Sequence, residues 1–162
     1  MLNEGVGSWT ARRARKTPDA RAILHEGRTL TYAGLHDRAG RLARALRGLG
    51  AGPGTRVAYL GPNHPAFLET MFAAWSAGAV FVPLNMRLAG PELAYQLGDC
   101  GAALLVYAPG QAAVVAAIRG EARLSHLVAL ARPAGGDHDY ESLLAGPPRS
   151  RRTCRPAWMT PP

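Results

Sequence analysis

The run Trp75-Ser76-Ala77-Gly78-Ala79-Val80-Phe81-Val82-Pro83-Leu84-Asn85-Met86-Arg87-Leu88 constrains the fold more than any other part of the chain. It predicts the end of a buried helix, a tight turn, a short strand and a proline-marked exit. Gly78 stands where the helix must stop, and glycine accepts the left-handed conformation that closes helices. Val80 to Val82 lack the alternation of a half-exposed strand and predict one covered on both faces. Pro83 has no N–H to give a ladder, so the strand is expected to end there.

Elements of the same two kinds recur along the chain. Ser8 to Lys16 reads as a short amphipathic helix. Ala22-Ile23-Leu24 and Arg28-Thr29-Leu30-Thr31 flank Glu26-Gly27, a hairpin signature. Thr31 is a candidate N-cap for a helix carrying Leu35, Ala39, Leu42, Leu46 and Leu49 on one face. After the Gly50-Ala51-Gly52-Pro53-Gly54 stop, Val57 to Leu60 reads as a strand. Asn63 is expected to cap a second long helix with Pro65 in its first turn. That helix carries Phe67, Leu68, Met71, Phe72 and Trp75 and is expected to be deeply buried. A further helix from Gly90 to about Gly98, a strand over Leu104 to Tyr107, a helix over Gln111 to Arg119 and a strand over Leu127 to Leu130 follow. Tyr140 to Leu144 forms at most one more helical turn. Strands alternating with helices predict β-α-β units around a parallel sheet. From Arg132 onward Pro, Gly, Asp and Arg dominate, which reads as loop or linker.

At 162 residues the chain has room for one domain with a proper core. No apolar run reaches membrane-spanning length, and the N-terminus lacks the apolar h-region of a signal peptide. Cys100 and Cys154 are two and far apart, which fits a reducing cytoplasm better than a disulfide framework. Lys16 is the only lysine; with abundant Arg, Ala, Gly and Pro this points to a GC-rich, bacterial genome. The net charge of +8 raises the question of nucleic acid. Its distribution favours solvated surface: Arg12, Arg13, Arg15 and Lys16 form one cluster and Arg149, Arg151, Arg152 and Arg155 another. Arg38, Arg41, Arg44 and Arg47 recur every third residue and rotate around their helix. Aromatics are not interleaved for base stacking.

Several patterns imitate functional motifs. The cluster Gly48, Gly50, Gly52, Gly54 follows a helix and precedes a strand, the reverse of the dinucleotide fingerprint, so it reads as a helix stop. His25, His36, His64, His126 and His138 show no metal-ligand spacing with Cys or His. Asp137-His138-Asp139 has ligand chemistry but lies in a Gly-rich loop. Cys100, beside Gly101 at a helix end, reads as an inert thiol. Asn63, His64, Pro65 and Glu69 are assigned structural roles.

The Gly78 to Leu88 run resembles the second core motif of the AMP-dependent, adenylate-forming acyl-CoA synthetases, typically Gly-Ala-Val-x-Val-Pro-Leu-Asn-x-Arg-Leu. Its Leu-Asn-x-Arg ending is similar to the acyl- and aryl-CoA ligase branch rather than to peptide-synthetase adenylation domains, which usually read Tyr-Val-Pro-Ile-Asp. Leu30-Thr31-Tyr32-Ala33-Gly34-Leu35 resembles the first core motif, Leu-Thr-Tyr-x-Glu-Leu, with Gly34 in place of Glu. Asp19 to Ile23 and Gly54 to Ala58 are also similar to the family. The resemblance covers roughly residues 4 to 145. It implies an α/β fold: a partial parallel-sheet β-α-β subdomain of the large N-terminal domain of an adenylate-forming ligase.

The resemblance also implies the chemistry of fatty-acid–CoA and related ligases. A carboxylic acid is activated with ATP and Mg²⁺ to an acyl-adenylate, then passed to coenzyme A. The family supplies a Ser/Thr/Gly-rich loop ending in Pro-Lys, a Thr-Glu pair, an Asp for the ribose and a Lys in a C-terminal domain. No position here matches them, so no catalytic, cofactor-binding or metal residue is carried over. The expected reading is an N-terminal fragment, inactive alone and cytoplasmic, with possible self-association through uncovered apolar surface. The alternative is a stand-alone binding module built from the same half-fold. Residues 1–145 are assigned to the synthetase domain and 146–162 to a disordered Arg/Pro-rich tail. That tail is expected to be out of frame. Trp158, Met159 and Thr160 are TGG, ATG and ACN; shifted back by one base, they encode Asp-Asp, similar to the acidic linker before the family's phosphate loop.

Overall fold

The computed structural model describes residues 5–131 and 133–146. All of the expected out-of-frame tail after Gly146 therefore lies outside the described residues. After a 3-10 turn at Val6–Ser8 come α1 (Trp9–Lys16), β1 (Arg21–His25), β2 (Arg28–Thr31), α2 (Tyr32–Gly48), β3 (Arg56–Leu60), α3 (Pro65–Ala77) and β4 (Val80–Leu84). Then follow α4 (Gly90–Cys100), β5 (Ala102–Tyr107), a 3-10 turn at Pro109–Gln111, α5 (Ala112–Ile118), β6 (His126–Ala129), β7 (His138–Asp139) and α6 (Tyr140–Ala145). β1 and β2 form the expected antiparallel hairpin. Its two turn residues, Glu26 and Gly27, both take positive φ (47° and 75°), as a two-residue hairpin turn requires. Thr31 caps α2 as expected, its hydroxyl accepting from the Gly34 amide.

The remaining strands form one parallel sheet in the order β4-β3-β5-β6-β7. Alternate residues of the central strands go to opposite faces, as the pleat dictates. Val57, Tyr59, Leu104, Val106 and Val128 pack against α2, α3 and α6. Ala58, Leu60, Leu105, Tyr107, Leu127 and Ala129 pack against α4 and α5. β3 and β5 are thus covered on both faces by this chain's own helices.

Six expectations need correction. Among the described residues β4 pairs only with β3 and is an edge strand, with Val80 half exposed. It runs through Pro83, in register with Tyr59, to Leu84; an edge tolerates a residue without an N–H. α3 does not bury its bulky residues deeply. Ala66, Glu69, Thr70, Ala73, Ala74 and Ala77 face the core, while Phe67, Leu68, Met71, Phe72 and Trp75 are half-buried. The small residues let α2 and the sheet come close, so steric fit rather than apolarity chose the inner face. His64, not Asn63, caps α3. α4 continues past Gly98 to Cys100, where Gly101 takes the left-handed closing conformation. The segment after residue 132 is not only loop before the expected turn: it supplies β7, and the turn itself forms as α6, with Tyr140 and Leu144 entering the core.

Candidate functional site

The chain leaves β3 toward β4 on one side, then crosses to β5 on the other. Their C-terminal ends are therefore the point at which an open parallel sheet offers a ligand crevice. Two loops meet there, Gly61 to His64 and Ala108 to Gln111. They meet closely: the Ala108 amide donates to the Leu60 carbonyl at 2.9 Å. A Cβ at Gly61 would lie 2.8 Å from the Ala108 methyl and 3.2 Å from the Tyr59 hydroxyl. At Gly61 the crevice floor is closed by the Ala108 methyl and the Tyr59 ring.

The helix N-terminus at this point is also spent. Pro65 has no N–H, the Ala66 amide donates to His64 Nδ1 at 3.1 Å, and the Phe67 amide donates to the His64 carbonyl at 2.9 Å. Nδ1 must be unprotonated to accept. Burial, then the neighbouring His25 ring 5.0 Å away, lowers the His64 pKa and favours that state.

Beneath the crevice, on the α2/α3 face, lies an ionic clasp. Glu69 is 1% exposed. Arg38 donates to both its carboxylate oxygens, from Nε at 2.7 Å and Nη2 at 3.2 Å. The same guanidinium grips Glu141 on α6, at 2.6 Å and 3.2 Å. Tyr140 Oη adds a third bond to Glu69 at 2.7 Å. Arg38 is held in its charged form mainly by the Glu141 bonds, with burial opposing and Glu69 assisting. Burial first and Glu69 second push the Tyr140 phenol well above its ordinary pKa and the Tyr59 phenol up to about 12. The clasp joins three helices across a long sequence separation. Glu69 has the structural role expected of it. Arg38, expected as solvated surface, is instead the clasp's hub. One signal was available: an acid set within the small-residue stripe Ala66, Thr70, Ala73, Ala77 must be buried and partnered.

The other motif-like residues disperse. Asp137, Tyr107 and Arg119 form a second cluster on the α4/α5 side, where Asp137 accepts from both partners. Burial and then the Asp137 bond push the Tyr107 phenol up to about 12. His138 turns instead to His126, their ring nitrogens 3.3 Å apart. Asp139 caps α6 by accepting from the Ser142 amide at 2.8 Å, which lowers its pKa. His36 meets the Thr10 hydroxyl at 3.2 Å. Asp137-His138-Asp139 therefore sends its three side chains to three separate places. Among the described residues no group of three potential ligands converges on a metal position. The glycine cluster sits at the N-terminal end of β3, where Thr55 bonds the Gly50 carbonyl and Gly52 amide. The histidine pairs His25–His64 and His126–His138 were not legible, because residues far apart in sequence meet only in the fold.

Residues 10–152 match the family described as AMP-binding enzyme. The chain belongs to that family. Feruloyl-CoA synthase of an Amycolatopsis species is 58% identical over 118 residues, 73% of this chain but 24% of that protein. The long-chain-fatty-acid–CoA ligase of Thermus thermophilus is 37% identical and is matched over 99% of this chain and 32% of its own length. The fold is similar to the anthranilate CoA ligase AuaEII, solved with anthranoyl-AMP: TM-score 0.81, 25% identity, covering 86% of this chain and 27% of that one. This AMP-binding-enzyme chain thus spans about a quarter to a third of the length of the relatives it matches. The family implies ATP. At the switch point the described residues do not fit a triphosphate, because the crevice floor is closed and the α3 donors are taken. Lys16, the chain's only lysine, is on α1.

Proposed function

We propose that this chain is the N-terminal part of an acyl-CoA ligase and forms no acyl-adenylate by itself. The observation that carries this is the self-capped, sealed switch point within a segment matching only 24% and 32% of its relatives. In a complete ligase, ATP, Mg²⁺ and coenzyme A would convert a carboxylic acid to its thioester. The segment's own role is to build the sheet and its three-helix clasp. The acid is proposed to be aromatic, of the feruloyl kind, because identity is higher to that synthase than to the fatty-acid ligase. No catalytic, cofactor or metal residue is assigned. Residues 1–145 are proposed as the structural unit, in the cytoplasm; among the described residues no helix is long and apolar enough to cross a membrane.

Calorimetry of the purified chain with ATP and Mg²⁺ tests the first part. No binding tighter than about 1 mM, roughly −4 kcal/mol, is expected; tighter binding, or AMP release on adding ferulate and coenzyme A, overturns it. The coding DNA tests the proposed frame change in residues 146–162. The shifted frame should run on into a Ser/Thr/Gly-rich loop ending in Pro-Lys, and its absence ends that reading. A stand-alone module is the second reading, favoured by the complete coverage of β3 and β5 within this chain; a cooperative melt of a soluble monomer would support it.

A further inference from the structure

Helix α1 presents an outward stripe that neither the fold nor the ligase reading uses. Its seat is fixed at one point. A Cβ on Gly7 would lie 3.0 Å from the Trp75 and Ser76 backbone, and the Ser76 hydroxyl donates to the Gly7 carbonyl at 3.2 Å. The Val6–Ser8 turn is thereby locked onto the end of α3, which sets the direction of α1. Thr10 is buried beneath it. Trp9, Arg12, Arg13 and Lys16, spaced i, i+3, i+4, i+7, share the opposite face and line one shallow depression. Trp9 is 56% exposed and Val6, one turn away, 39%. The Arg13 guanidinium sits 4.5 Å from the Tyr32 ring centroid, which holds it in place. Among the described residues no carboxylate pairs with a cation of α1.

An exposed indole leaves apolar area in water, and adjacent cations repel one another. One environment relieves both: an anionic layer lying over an apolar one. We propose that α1 docks on an anionic lipid bilayer, with Arg12, Arg13 and Lys16 over the headgroup phosphates and Trp9 and Val6 at the interface. Single-stranded nucleic acid fits less well, since the stripe offers one aromatic where a stacking surface needs several. An acidic protein segment would answer the cations but leave the indole unexplained. The proposal is independent of the ligase reading.

The full chain is sedimented with phosphatidylcholine vesicles, with and without phosphatidylglycerol, over a range of salt. Binding is expected to the anionic vesicles only and to weaken as salt rises. Arg12→Gln and Lys16→Gln should each lower the partition about fivefold. Trp9→Ala should lower it at high salt also and abolish a blue shift in emission; Trp9→Phe should retain binding. Arg21→Gln, on the exposed hairpin, should change little. These positions are on the surface, so the variants should melt like the parent. Equal partition into neutral vesicles overturns the proposal. So does a loss in Arg21→Gln as large as in Arg12→Gln, since net charge alone would then explain binding. Displacement of vesicles by poly-uridylate or polyglutamate at lower concentration than by excess anionic lipid would identify another partner class and also overturn it.

Discussion

The two faces of the parallel sheet solve the same burial problem differently. The α4/α5 face is filled by leucines, Leu60, Leu93, Leu97 and Leu105, with Val115 and Ile118 closing it. The α2/α3 face is lined on α3 by alanines and carries Glu69 at its centre. Large side chains hold the first pair of helices at their natural spacing. Small ones bring α2 and α3 together and leave room for a carboxylate, which must then be satisfied. Arg38 and Tyr140 do so, and in doing so dock α6, a helix too short to hold itself. A buried ion pair adds little over an apolar pair of equal volume, but loss of one partner is costly. The contrast is between a face whose energy comes from area and one whose energy depends on a complete set of partners.

The largest effect should come from the apolar face. Leu105→Ala in the fully buried centre of β5 should cost about 4 kcal/mol in urea unfolding, by lost transfer energy and a cavity. A loss under about 1 kcal/mol would mean this face is loosely packed. Next, Glu69→Gln should cost about 3 kcal/mol by leaving the Arg38 guanidinium short of a partner. A double-mutant cycle with Arg38→Met should recover much of that loss; strict additivity would show that the clasp is not a unit.

Alkaline pH loads both faces. Tyr59 and Tyr140 on one face and Tyr107 on the other have raised folded-state pKa values, so the native state holds protons that the unfolded chain releases. Stability should be full below about pH 10, the unfolded value, and fall as pH rises toward 12. Tyr59→Phe should reduce the slope, as followed by chemical denaturation; a flat profile over this window contradicts the burial of these hydroxyls. The smallest effect belongs to the α3 cap. The lowered His64 pKa gives stability that is present above the unfolded value of about 6.5 and lost as pH falls below it. His64→Asn keeps a capping acceptor and should remove that acid dependence, at a cost under about 1 kcal/mol.

Local chemistry made most of the elements legible. Thr31 marked the start of α2, Glu26-Gly27 the hairpin turn, Gly78 the end of α3, and the apolar runs at Val57 and Leu104 the central strands. These are interactions between near neighbours, so the sequence by itself determined them, along with the α/β class. The core motifs carried the family. The fold alone decided which strand is the edge, since pairing partners lie far along the chain. It decided that α3 turns its alanines and Glu69 inward, because helix approach depends on the facing helix and not on the hydropathy of α3. It also decided that Arg38, Glu69, Tyr140 and Glu141 meet. A charged residue's partner is set by three-dimensional closure, and nothing in its own neighbourhood along the chain names it.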